Sequence, residues 1–225
     1  MKLADTRVIL TGGSRGLGEA IAKRFHNEGA NVNVLSRGNG YDVRAHLPKT
    51  HGDVLVCCAG IYGPIGPLDL CDPHEWVDCI DTNLIGVLHA CQSVIPHMRQ
   101  AGRGKIIIVS GGGSTRPRPN FSAYAASKAA VVRLMECIAG ELAPHNITAN
   151  CLAPGLLNTS IHDAVISAGP ELAGKEEYAN ALVAKDGPVD FTKACDLAVW
   201  MAGKESDGVT GKLISIHHDY RSITA

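Results

Sequence analysis

The sequence predicts an α/β fold, a doubly wound parallel sheet forming a single domain over residues 1–225. Three observations predict it. Short aliphatic runs alternate with longer stretches of helical periodicity along the chain, so successive strands are joined by crossovers. Aromatic residues are only 4% of a chain that is 45% hydrophobic, so aliphatic side chains supply the core, as parallel strands buried under helices require. A length of 225 residues suits one domain and excludes two large lobes.

The first strand is Arg7-Val8-Ile9-Leu10. A glycine-rich turn follows, then a helix over Glu19–Glu28 with Ala20, Ile21 and Phe25 at helical spacing and Gly29 as its stop. Further strands fall at Val32–Leu35, Asp53–Cys57 and Gly104–Val109, the last two separated by a long helical stretch from about Pro73 to Arg99. A loop at 111–122 leads to a helix over Ala123–Leu142 and a strand over Thr148–Leu152. The chain then reads as a polar helical insertion over 160–185, a helix over Thr192–Ala202 and a closing strand over Lys212–Ile216.

Lys plus Arg (21) nearly balances Asp plus Glu (22), a net charge of -1 that gives no field for nucleic acid or an anionic membrane. No apolar run approaches the roughly 18 residues of a membrane span, and the N-terminus runs into a strand pattern instead of a signal sequence. A cytoplasmic protein is expected. The eight cysteines contain no C-x-x-C pair and read as reduced core residues, Cys57-Cys58 included. Adjacent histidines on a strand face opposite sides, so His217-His218 is not a metal pair, and no metal is expected.

Thr11-Gly12-Gly13-Ser14-Arg15-Gly16-Leu17-Gly18 lies directly between the first strand and the first helix. In that context glycines let the backbone approach a pyrophosphate, which the helix N-terminus then faces. The sheet is thus expected to be of the Rossmann type, with Gly12, Ser14, Arg15, Gly16, Leu17 and Gly18 holding a dinucleotide. About 20 residues further on, such folds carry an acid where the ribose has a free 2′-hydroxyl. Here Ser36 and Arg37 stand there, which with Arg15 suit a 2′-phosphate, so NADP(H) is preferred and NAD(H) is the alternative.

Tyr124 and Lys128 are four apart on one predicted helix and project from the same face. An ammonium one turn away favours the phenolate and is expected to bring the tyrosine toward neutral pH, where it could act as acid or base. The pair follows the fourth core strand, at the carboxyl side of the sheet where ligands bind in this architecture.

Together these residues resemble the short-chain dehydrogenase/reductase family. The resemblance runs from Thr11-Gly12-x-x-x-Gly16-x-Gly18 through Ala59-Gly60, Thr82-Asn83, Tyr124-x-x-x-Lys128, Pro154-Gly155-x-x-x-Thr159 and Thr210-Gly211. It implies an oxidoreductase that interconverts a carbonyl and a secondary alcohol by hydride transfer. Tyr124 would be the acid/base, Lys128 would hold the nicotinamide ribose, and Asn83 would retain a water linked to Lys128. Ala59 and Gly60 would border the cofactor, Pro154, Gly155 and Thr159 the nicotinamide, and Asp42 would meet the adenine.

Three departures accompany the resemblance. The family's substrate-orienting serine lies 13 positions before the tyrosine, where this chain has Gly111; Ser110 and Ser114 are the candidates to replace it. The usual Asn-Asn-Ala-Gly is Cys57-Cys58-Ala59-Gly60. Finally, 15 residues (38–52) stand where the family places helix, strand and helix, too few for two parallel crossovers. An outer strand is therefore expected to be missing or reduced, its exposed edge covered by 38–52 or by a partner.

Substrate contacts are expected from the 111–122 loop and the 160–190 insertion, with Arg116 and Arg118 as cations for a phosphate or carboxylate. The family resemblance implies a homodimer or homotetramer paired through the two long helices. The rival to a carbonyl or alcohol enzyme is a cofactor-binding sensor or scaffold with little turnover, which the missing serine would favour.

Overall fold

The computed structural model describes residues 1–224. Six parallel strands form one sheet: β1 (Arg7–Thr11), β2 (Asn31–Leu35), β3 (Val54–Cys57), β4 (Gly104–Val109), β5 (Ile147–Ala153) and β6 (Leu213–Ser215), in the order β2-β1-β3-β4-β5-β6. The order reverses at β1, with β2 on one side and β3 on the other. That leaves a crevice at the strands' carboxyl ends, where ligands bind in doubly wound sheets.

Alternation along the strands sends Val8, Leu10, Val54, Val56 and Ile107 to one face, beneath α1 (Gly16–Asn27) and α7 (Thr192–Ala202). Ile9, Leu55, Ile106 and Ile108 go to the other, beneath α3 (Gly86–Ala101) and α4 (Ser122–Leu142). A third apolar cluster, including Tyr62, Phe121, Tyr124 and Val165, lies apart from these two faces.

The helical stretch expected as one unit over 73–99 is two helices. α2 (Pro73–Ile80) passes through a π-helical turn at Asp81–Ile85 into α3. The polar insertion is likewise two helices, α5 (Ile161–Ala173) and α6 (Lys175–Asp186), with a kink in α5 at Gly169, whose φ is 72°. α1 starts at Gly16, three residues before the expected Glu19, because the glycine turn itself supplies the first helical turn.

The segment after β2 contains a single 3-10 turn at Arg37–Asn39 and no strand, so β2 is the sheet edge. Residues 40–53 form a strap that runs along α3. Val43 packs against Gly86, Leu47 is buried among Ile9, Leu35 and Leu55, and the Thr50 N–H donates to Ser93 O at 2.9 Å. His46 meets His89 edge-on at 5.6 Å, and His51 stacks on His97 at 4.5 Å.

The expectation that 38–52 covers the free edge of β2 is corrected. The strap packs against the face of the sheet, where a helix would otherwise lie, because Val43 and Leu47 need burial and 15 residues cannot also reach around the edge. Only Asn39 serves the edge, donating from Nδ2 to Val34 O at 2.5 Å. The Leu35 side of β2 accordingly ends in exposed Asn31 and Asn33, polar because nothing packs over them.

Candidate active site

A cleft of about 1580 Å³ opens at the carboxyl ends of the strands. At its phosphate end, Gly12 (φ 74°) leaves β1 against the 58–59 backbone, and a Cβ there would come within 2.5 Å of Ala59 N. The N-terminus of α1 carries no side-chain cap, and its first residues line the cleft, their N–H groups without a partner among the described residues. A tight glycine cradle ending in uncapped N–H groups fits a dinucleotide pyrophosphate.

Ser14, Arg15, Gly16, Leu17 and Gly18 line this end of the cleft, with Ala59, Gly60, Pro154, Gly155 and Thr159 further along. Ser36, Arg37 and Asp42 line the adenine side. There the Ser36 hydroxyl donates to Asn39 Oδ1 at 3.2 Å, while Arg15 and Arg37 are exposed. Asp42 is held at about 2 by hydrogen bonds from Arg44, which also reaches Asp78 at 3.3 Å. Asp42 thus faces the cleft as a carboxylate already paired with an arginine that sequence reasoning did not select.

α4 carries Tyr124 and Lys128 to the middle of the cleft. Lys128 Nζ donates to Val109 O at 2.9 Å and lies 5.7 Å from the Tyr124 ring centre. Burial lowers the affinity of Lys128 for its proton. Tyr124 is pushed well above its ordinary value by burial and by Tyr62, against an opposing pull from Arg118. In the protein without ligands the depression of Tyr124 expected from Lys128 is not seen: the lysine is turned to a backbone carbonyl, and burial of the ring works against ionisation of the phenol.

Asn83 does not line the cleft. It sits fully buried in the π-helical turn, where its Oδ1 accepts from Ile61 N at 2.9 Å and its Nδ2 donates to Ile61 O and Ser127 Oγ, both at 2.9 Å. Ser127 in turn donates to Tyr124 O at 2.7 Å. The wider π turn lets a polar side chain leave the helix and lock the segment after Gly60 to the helix bearing Tyr124.

Gly111 lies against the phenol. A Cβ on Gly111 would collide with Tyr124 Oη and come within 3.2 Å of Cζ. Both replacement serines line the cleft: Ser110 is 2% exposed and its hydroxyl has no hydrogen-bond partner among the described residues, while Ser114 is half-buried, its N–H donating to Gly111 O at 3.3 Å. Cys58 is half-buried on the cleft wall, its thiol pushed up to about 11 by burial, whereas Cys57 is sequestered in the core.

The two arginines separate. Arg116 is exposed at the cleft. Arg118 is only 13% exposed and makes a two-pronged pair with Glu177 of α6, from Nε at 2.9 Å and Nη2 at 2.7 Å. Its guanidinium lies 4.1 Å from the ring centre of Phe121, 4.9 Å from Tyr62 and 5.6 Å from Tyr124. Arg118 is therefore not an unpaired cation waiting for an anionic substrate: Glu177 already pairs with it.

Sequence reasoning missed Tyr62, His162 and Glu177. The Tyr62 ring stands edge-on to Tyr124 at 4.6 Å, and His162, buried on α5, lies 6.4 Å from Tyr62. Only the position of Tyr62, two residues after Gly60, could have drawn attention to it. Among the described residues, no group of three or more His, Cys, Asp or Glu could hold a metal ion, and no helix is long and apolar enough to cross a membrane.

The family model for short chain dehydrogenases matches residues 41–168, more than half of the chain. The chain belongs to the short-chain dehydrogenase family. Dehydrogenase/reductase SDR family member 4 from Pongo abelii is 34% identical over 189 residues, covering 70% of this chain and 68% of its own. The 3beta-hydroxysteroid dehydrogenase 1 of Eggerthella lenta is 32% identical, over 95% of this chain and 93% of its own. Among solved structures, a gluconate 5-dehydrogenase from Burkholderia cenocepacia in complex with NADP and tartrate superposes with a TM-score of 0.80 at 27% identity, covering 95% of this chain and 94% of that one. This short-chain dehydrogenase thus has the parallel Rossmann fold of a nicotinamide-dependent oxidoreductase.

Proposed function

We propose that this chain is an NADP(H)-dependent reductase or dehydrogenase that interconverts a carbonyl and a secondary alcohol, with Tyr124 as the acid/base. The single observation that carries the reading is the placement of Tyr124 and Lys128 in the same cleft as the uncapped glycine cradle. A nicotinamide cofactor seated there supplies or accepts the hydride. The chain's own residues do the rest. The α1 N-terminus and glycine loop bind the pyrophosphate, and exposed Arg15 and Arg37 favour a 2′-phosphate over a free ribose hydroxyl.

Tyr124 Oη has no hydrogen bond among the described residues, lines the cleft, and is the proton carrier for the substrate oxygen. Lys128 orients the ribose, and Asn83 holds the segment after Gly60 and the Tyr124 helix in register. Ser110, buried and unpartnered, is the candidate hydroxyl in place of a serine at 111, with Ser114 behind it. With Arg118 already paired to Glu177, the substrate side formed by Tyr62 and His162 suits a neutral carbonyl better than a phosphate or carboxylate. Residues 160–190 form the substrate side of a single domain. Exposed Ala126 and Ala129 on α4 suit close pairing of two copies, so a homodimer or homotetramer is proposed.

The test is NADPH oxidation over a panel of neutral ketones and keto-sugars by the intact protein and by Tyr124→Phe. The reading expects turnover on at least one substrate and a loss of at least a hundredfold in the variant. Tight NADPH binding with no turnover on any substrate would favour the rival reading of a cofactor-binding sensor or scaffold. Glycine at 111 is the observation on that side.

A further inference from the structure

In this chain the phenol of Tyr124 leans into the space that a side chain at Gly111 would fill. Its surroundings contain two cations at similar distances. Lys128 Nζ is 5.7 Å from the ring centre, and the Arg118 guanidinium is 5.6 Å from it. The two differ in how well they keep their charge. Lys128 is buried with one carbonyl partner, and that burial weakens its hold on its proton. Arg118 remains charged: burial is the largest influence and works against it, but Glu177 and Tyr62 together, through hydrogen bonds and charge, outweigh that cost.

Arg118 is also fixed in place. Pro117 and Pro119 stiffen its loop, Phe121 and Tyr62 flank the guanidinium, and Glu177 grips one edge of it. Nη1 makes none of these hydrogen bonds and points toward Gly112, where a Cβ would lie 3.7 Å away.

We infer that the Arg118–Glu177 pair is an electrostatic positioning unit for Tyr124: Arg118 favours the phenolate, and Glu177 on α6 sets how much of that charge Tyr124 feels. The inference rests on the reading of Tyr124 as the acid/base. It assigns the 111–122 loop and α6 a role in proton transfer as well as in enclosing the substrate. Displacing α6 would remove Glu177 and leave Arg118 unneutralised beside the phenol, so the position of this helix and the protonation of Tyr124 are linked.

The groups facing Tyr124 are Arg118 from the loop, Lys128 from its own helix, Tyr62 and Cys58 from the segment around Gly60, and Cys79 from α2. Those facing Arg118 are Glu177, Tyr62 and His162, and the last is held neutral by burial and by Arg118 itself. Cys58 and Cys79, both pushed up to about 11, stay neutral over the working range.

The test replaces Tyr124 with 3,5-difluorotyrosine in the full-length protein and follows its ionisation by fluorine NMR. The fluorinated phenol ionises at lower pH than tyrosine, and far-UV circular dichroism across the titration checks that the fold is kept. Arg118→Met is expected to raise the midpoint by about one pH unit, and Arg118→Lys to recover at least half of that rise. Glu177→Gln is expected to lower the midpoint. Opposite signs for the two partners distinguish an electrostatic role from general loosening of the pocket, which would move both the same way.

An unchanged midpoint in Arg118→Met, or shifts of one sign in both variants, overturns the inference. If Arg118→Met does not fold, the sign of the Glu177→Gln shift decides alone. Turnover retained by Tyr124→Phe would instead overturn the acid/base reading, a separate failure that this titration does not produce.

Discussion

Gly111 is what allows Tyr124 its position: the phenol oxygen lies where the first carbon of a side chain at 111 would stand. The glycine is therefore more than a missing hydroxyl, because the tyrosine has taken up the space. Restoring the family's serine here is expected to hurt. Gly111→Ser should push the phenol out of place and reduce turnover at least tenfold, with Gly111→Ala doing the same. Steady-state rates and a thermal melt check this, since the melt separates a displaced tyrosine from a lost fold. A faster Gly111→Ser enzyme would show that the phenol yields readily and the hydroxyl was all that was lacking.

Asn83 ties Ile61 to Ser127, and Ser127 holds the carbonyl of Tyr124. Asn83→Ala leaves the Ile61 N–H and C=O and the Ser127 hydroxyl short of partners in a buried place. The expected cost is about 2–4 kcal/mol of stability. Urea unfolding measures it, and Asn83→Asp should not recover it, because a carboxylate cannot donate to Ile61 O.

On the adenine side, Arg15→Ala and Arg37→Ala are each expected to weaken NADPH binding by about tenfold or more and to leave NADH binding within about twofold. Fluorescence titration with both cofactors gives the ratio. Equal losses for both would remove the argument for a 2′-phosphate.

His97 accounts for a dependence of stability on pH. Its Nε2 lies 3.0 Å from Nη2 of Arg7, which can only donate, so the imidazole must be unprotonated there. Partial burial, with His51 and Arg7 alongside, holds it below its usual 6.5. The unfolded chain then binds the proton more readily, so stability present above about 6.5 falls as the pH drops below it. Thermal melts between pH 8 and 5 should show the decline, and His97→Gln should reduce it, leaving the share that His162, also held low by burial, contributes. Asp42 and Asp53, both held low by arginine partners, contribute only below about 4.

Leu47 is the strap's deepest anchor, packed with Ile9, Leu35 and Leu55. Leu47→Ala is expected to cost about 2–5 kcal/mol. Limited proteolysis should then cut between 40 and 53 first, because this segment has no ladder of backbone hydrogen bonds to hold it.

The succession of strands and helices, the glycine turn and the i, i+4 pair on α4 were legible along the chain because each is a local pattern: a period, a turn chemistry or a spacing. Even the missing outer strand could be counted, since 15 residues are too few for two crossovers. Nothing local said where those residues would go. Burial of Val43 and Leu47 sent them across a sheet face and left Asn31 and Asn33 bare. The partnership of Arg118 with Glu177 spans 59 positions, and Tyr62 reaches Tyr124 from 62 positions away. The sequence by itself thus determined the sheet and where along it the cleft lies. Only the tertiary structure decided which charge faces the phenol and which is neutralised, because electrostatics depends on distances through space between elements far apart along the chain.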